Sequence, residues 1–98
     1  MEISARQLKE RLENNEPVIL LDVREEIEYH TYNIGGLNVP LSRLQQEINQ
    51  LNYNKTDEIV VICQAGLRSQ TAMAFLVQQG YQNVKNLTGG LIALRRLQ

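Results

Sequence analysis

Two short runs, Val18-Ile19-Leu20-Leu21 and Ile59-Val60-Val61-Ile62, contain no polar residue. A strand with one wet face alternates apolar and polar residues. An unbroken apolar run instead suits a strand covered on both faces, as in parallel sheets. Helical patterns lie around these runs. Ser4 and Gln7 fit an S-x-x-Q capping box, and Ala5, Leu8 and Leu12 then share one helical face. Asn14 to Pro17 breaks that helix. Glu25 to Tyr29 reads as a short helix whose acidic residues suit its positive end on a solvated face. Leu41, Leu44, Ile48 and Leu51 recur at helical steps and predict one amphipathic helix. Ile3 opens a very short strand, and Ile34 to Pro40 is a turn and short strand stopped by proline. Val84 to Leu87 is the last strand, followed by Thr88-Gly89-Gly90 and a helix to Arg96. Strands alternating with helices predict an α/β domain with a central, mostly parallel sheet and helices on both faces.

The 98 residues suit one domain over 1–98, and 43% hydrophobic with 21% charged residues is ordinary globular composition. A net charge of -1 argues against a dedicated nucleic-acid binder. No apolar run approaches the roughly 20 residues needed to cross a membrane, and Met1 to Ser4 shows no start of a signal peptide. The expectation is a cytoplasmic protein without nucleic-acid or membrane partners. Its single cysteine forms no internal disulfide, and a reducing compartment suits such a thiol.

That cysteine, Cys63, ends the second apolar run. Gln64, Ala65, Gly66, Leu67, Arg68 and Ser69 follow, then a helix-forming stretch with Ala72, Met73, Ala74, Phe75 and Leu76. A helix starting near Ser69 would point its free N–H groups and positive dipole end back at the thiol. The loop could aim further N–H groups inward as an anion-binding nest. A thiolate so held, with a guanidinium nearby, should ionise below the free value of about 8.5 and act as a nucleophile. Most free cysteines are simply small buried hydrophobes; the combination of strand, glycine-containing loop, arginine and helix favours the reactive reading. Asp22-Val23-Arg24 ends the other apolar run, at the same sheet edge, where α/β folds bind ligands.

Several segments together resemble the rhodanese-like, or thiosulfate sulfurtransferase-like, single-domain family over essentially the whole chain. They are Leu21 to Glu25 with Glu28-Tyr29, Ile34 to Gly36 with Asn38 to Leu41, Cys63 to Ser69, and Leu87 to Gly90. The resemblance implies a sheet of about five strands. It further implies that Cys63 takes a sulfane sulfur from a donor such as thiosulfate, holds it as a persulfide, and passes it to cyanide, a small thiol or a partner protein's thiol. Gln64 to Ser69 would form the anion-binding loop, with Arg68 bracing it and attracting the donor. Asp22 and Arg24 would support it, with no cofactor or metal.

The alternative is a weakly catalytic or non-catalytic module that carries persulfide or docks a partner. A phosphatase or arsenate reductase fits less well, because Cys63 to Arg68 spells C-x4-R and those relatives of the fold use a loop one residue longer. Asn33, Gln64 and Leu94 depart from the commonest family pattern, which has histidine, a basic residue and tryptophan there. His30 has no second ligand spaced near it, which argues against a metal or general-base role.

Overall fold

The computed structural model describes residues 1–97. Five strands, β1 (Glu2–Ile3), β2 (Ile19–Asp22), β3 (Leu37–Asn38), β4 (Glu58–Ile62) and β5 (Asn83–Leu87), form one sheet in the order β1-β5-β4-β2-β3. Every pairing is parallel, with Leu21 opposite both Val61 and Leu37, and Val61 opposite Asn86. The helices are α1 (Ala5–Glu13), α2 (Glu26–Thr31), α3 (Leu41–Glu47), α4 (Leu67–Gln78) and α5 (Gly90–Arg95). The domain is thus the α/β sandwich expected from the apolar runs.

Alternation along β4 divides the core. Ile59, Val61 and Cys63 join Leu44, Ile48, Leu51, Ala72 and Leu76 on the α3 and α4 side. Val60 and Ile62 join Leu8, Leu91 and Leu94 on the α1 and α5 side. Both faces of the central strands are therefore dry, which is why their sequence shows no polar alternation.

The Ser4–Gln7 capping box opens α1 as expected. Several ends shift by one or two residues: β2 starts at Ile19, α2 runs Glu26–Thr31, β5 starts at Asn83 and α5 ends at Arg95. Two differences bear on packing and the site. The predicted amphipathic helix from Leu41 ends at Glu47 and continues as a 3-10 turn over Ile48–Gln50. The tighter turn still buries Ile48 and Leu51, because three-residue spacing satisfies both geometries. Helix α4 starts at Leu67 rather than Ser69, directly after Gly66 at φ +93°. Among the described residues no helix is long and apolar enough to cross a membrane.

Candidate active site

Cys63 continues from the carboxyl end of β4, and the chain turns at once into α4. This tight return places three groups around the sulfur. The Gly66 N–H donates to Cys63 Sγ at 3.1 Å and the Ser69 N–H donates at 3.3 Å. The Ser69 hydroxyl oxygen lies 3.3 Å away. Cys63 is only 1% exposed and Ser69 is fully buried, so these contacts operate away from bulk water. Burial pushes the Cys63 thiol up, while a Ser69 hydroxyl turned towards the sulfur and the N–H groups of Ser69, Gly66 and Ala65 bring it below its ordinary value.

The loop is held from below by α5. The Leu91 N–H donates to the Cys63 carbonyl at 3.0 Å, and the Ile92 N–H donates to the Gln64 carbonyl at 3.1 Å. A helix start needs partners for its free N–H groups, and here the carbonyls of the Cys63 loop supply them. The two backbones meet only because Gly90 has no side chain: a Cβ there would lie 2.5 Å from both carbonyl oxygens.

Of the two roles expected of Arg68, bracing the loop and attracting an anionic donor, the structure bears on the first. The two terminal nitrogens of Arg68 grip Glu28 of α2, at 2.7 and 2.9 Å to the two carboxylate oxygens. Glu28, read from sequence as part of a solvated acidic face, is thus the partner that ties α2 to the loop. The Arg68 guanidinium, opposed by desolvation, draws the Glu28 carboxyl down to about 2, with help from the Glu25 N–H. At the far end of the sheet, Arg11 first and then Lys85 likewise hold Glu58 at about 2, against its partial burial.

A carboxyl lowered by folding contributes stability above its unfolded value and loses it as acid protonates the folded form. The Glu28–Arg68 contribution should therefore be complete above about pH 4.5 and vanish towards about pH 2. Thermal melts of wild type and Glu28→Gln should converge across that range. A gap independent of pH there would contradict the pairing, and the comparison removes the parallel contribution of Glu58.

Asp22 and Arg24 form a buried pair. Arg24 Nη2 donates to Asp22 Oδ2 at 2.7 Å, and Nε donates to Oδ1 at 3.0 Å. The same Nη2 reaches the Tyr32 carbonyl at 2.7 Å, and Asn38 Nδ2 donates to the Asp22 and Arg24 carbonyls. Neither residue contacts the sulfur; together they fasten β2, β3 and the end of α2 beside the loop.

Of the other loop residues, Leu67 is 73% exposed and Gln64 borders an open groove of about 430 Å³ with Arg24, Ile27, Glu28, Thr31, Tyr32 and Arg95. Ala65 is also exposed. One site residue escaped the sequence reading altogether. Asn86, in β5 and 1% exposed, accepts the Ser69 hydroxyl through Oδ1 and donates through Nδ2 to the Gly66 carbonyl at 3.3 Å. Its only signal was a polar residue next to Leu87 in Val84-Lys85-Asn86-Leu87, where the Val84/Asn86 alternation puts it on the same face as a core valine.

With this geometry in place, comparison with known proteins is direct. A family model described as rhodanese-like domain matches residues 4–96. A putative sulfur carrier protein of Bacillus subtilis is 37% identical over 91 residues; the match covers 92% of this chain but 48% of that protein, so the chain spans about half its length. A protein named sulfurtransferase from Allochromatium vinosum is 36% identical over 96 residues, covering 97% of this chain and 88% of the relative. The crystal structure of a rhodanese-like domain protein from Staphylococcus aureus superposes with a TM-score of 0.84 at 27% identity, covering 96% and 91% of the two chains. Agreement in family model, in curated relatives and in the parallel sheet that carries the thiol loop shows that this chain belongs to the rhodanese-like domain family.

Proposed function

We propose that this chain transfers sulfane sulfur through a persulfide on Cys63. The observation that carries the reading is the cradle: two loop N–H groups directed at one buried sulfur whose thiol is shifted towards ionisation. Such a site favours a sulfur anion and contains no acid–base residue in contact with it, which suits a reaction that moves sulfur rather than protons.

In the first half-reaction the Cys63 thiolate attacks the outer sulfur of thiosulfate. A sulfur–sulfur bond forms at Sγ, the original sulfur–sulfur bond breaks, and sulfite leaves with the electron pair. In the second, cyanide or a thiolate attacks the outer sulfur of the persulfide, and the Cys63 thiolate departs. Charge and atoms balance in each step, and no cofactor is required. Burial of the sulfur restricts both partners to slender reacting groups. Gln64, Ala65, Gly66, Leu67, Arg68 and Ser69 form the anion loop in this reading. Asp22 and Arg24 are its support, and Arg68 braces it through Glu28.

A carrier role, in which persulfide is held for a partner's thiol with little thiosulfate turnover, is favoured by one observation. The nearest guanidinium to the loop is already neutralised by Glu28, and Gln64 adds no charge, so the pull on a dianionic donor is weak. The Bacillus relative bears a sulfur carrier's name.

Intact mass after incubation with thiosulfate tests the common step: a gain of about 32 Da, one sulfur, is expected in wild type and absent in Cys63→Ser. No gain with thiosulfate, polysulfide or a persulfidated protein donor would sink the proposal. Thiocyanate release on adding cyanide then separates the turning-over enzyme from the carrier.

A further inference from the structure

The Ser69 hydroxyl has one proton and two neighbours that could take it. Which neighbour receives it follows from Asn86. The Asn86 amide nitrogen faces two oxygens that only accept, the Gly66 carbonyl at 3.3 Å and Glu2 Oε1 at 3.4 Å. Rotating the amide by half a turn would set its oxygen against both, so the orientation is fixed by its partners. Oδ1 therefore faces Ser69, and as a pure acceptor it requires the Ser69 proton. Asn86 and Ser69 are both buried, so an acceptor left empty here carries the full desolvation penalty.

We propose that Asn86 is a positioning residue that keeps the Ser69 proton away from Cys63, so that Ser69 turns a lone pair towards the sulfur. The Ser69 oxygen can then accept the S–H of the resting thiol but gives nothing to the thiolate. Stabilisation of the anion then falls to the backbone N–H groups of Gly66 and Ser69, and the part of the Cys63 lowering that a Ser69 hydroxyl donor would bring is withheld while Asn86 holds the proton. Under the sulfur-transfer reading on which this consequence rests, the bias changes once sulfur is loaded. In a persulfide the negative charge moves to the outer sulfur, and Sγ becomes an uncharged, divalent atom. A lone pair facing it is then less unfavourable than one facing a thiolate. The Asn86–Ser69 pair thus disfavours the empty thiolate relative to the loaded persulfide, as a site built to retain sulfur would.

Other charged groups near the site leave this arrangement intact. Arg68 is matched by Glu28 and Arg24 by Asp22, Arg95 lies across the groove by Gln64, and Glu2 has a second partner in the Thr88 hydroxyl at 2.8 Å. The test is the pH midpoint of Cys63 alkylation, which needs no sulfur donor and is therefore independent of the mass experiment. Freed of Asn86, Ser69 can donate to the thiolate, so Asn86→Ala should lower the midpoint by about one unit, a tenfold gain in thiolate at low pH. Ser69→Ala removes an S–H acceptor and should leave the midpoint unchanged or lower. In the double variant, the further drop caused by Asn86→Ala should disappear. A higher midpoint in Ser69→Ala, or no shift in Asn86→Ala, would overturn the assignment. Should Asn86→Ala fail to fold, the Ser69→Ala midpoint alone decides.

Discussion

Arg24→Ala is expected to destabilise the domain by about 3–5 kcal/mol, because it strands a buried carboxylate. Asp22 is fully buried, and Arg24 supplies two of the donors that satisfy its oxygens; the Arg24 N–H adds another to Oδ1 at 3.0 Å. Removing the guanidinium leaves that charge with a single backbone donor and also frees the Tyr32 carbonyl. Domains of this size have on the order of 5–15 kcal/mol in total, so the loss is a large part of the whole. Chemical denaturation measures it, and a cost under about 1 kcal/mol would show that the pair is structurally dispensable. Replacing both residues by apolar ones of similar volume should cost much less, since the expense lies in the unpaired charge rather than in the missing bridge.

Gly90→Ala should have the largest effect on the site itself. Gly90 has φ +63°, a left-handed backbone that costs an alanine about 1–3 kcal/mol before any contact is considered. The added Cβ would also meet the Cys63 and Gln64 carbonyl oxygens at 2.5 Å, so α5 or the loop must move. Either movement breaks the bonds from the Leu91 and Ile92 N–H groups and releases the cradle. Loss of persulfide loading together with a lower denaturation midpoint is expected. A variant that still gains sulfur at the wild-type rate would show that α5 does not set the loop's shape. Gly90 lies 24 residues after Gly66, the glycine of the loop, yet it acts on the same few atoms.

The contrast between these two glycine-bearing segments marks what was readable in one dimension. Val18 to Leu21 and Ile59 to Ile62 declared a doubly covered parallel sheet because burial on both faces removes the need for polar alternation. Cys63 with Gly66 and the helix formers declared a thiol facing loop N–H groups because all the parts are local: strand end, turn and helix start lie within a dozen residues. Asp22 and Arg24 were legible as neighbours of the same sheet edge, two residues apart at a strand end, but their pairing with each other was not.

What tertiary structure decided involves partners far apart in the chain. Glu28 reads as a solvated acid until α2 is laid beside Arg68, forty positions later. Asn86 is one of three polar residues in β5 until that strand is placed next to β4, which sets its amide against Ser69 and Gly66. Local sequence determined that a thiol would sit in a ring of N–H donors, because backbone geometry alone makes that ring. Which side chains neutralise the nearby cation, and where the serine proton points, depended on packing, because hydrogen bonds between side chains are specified by proximity in space.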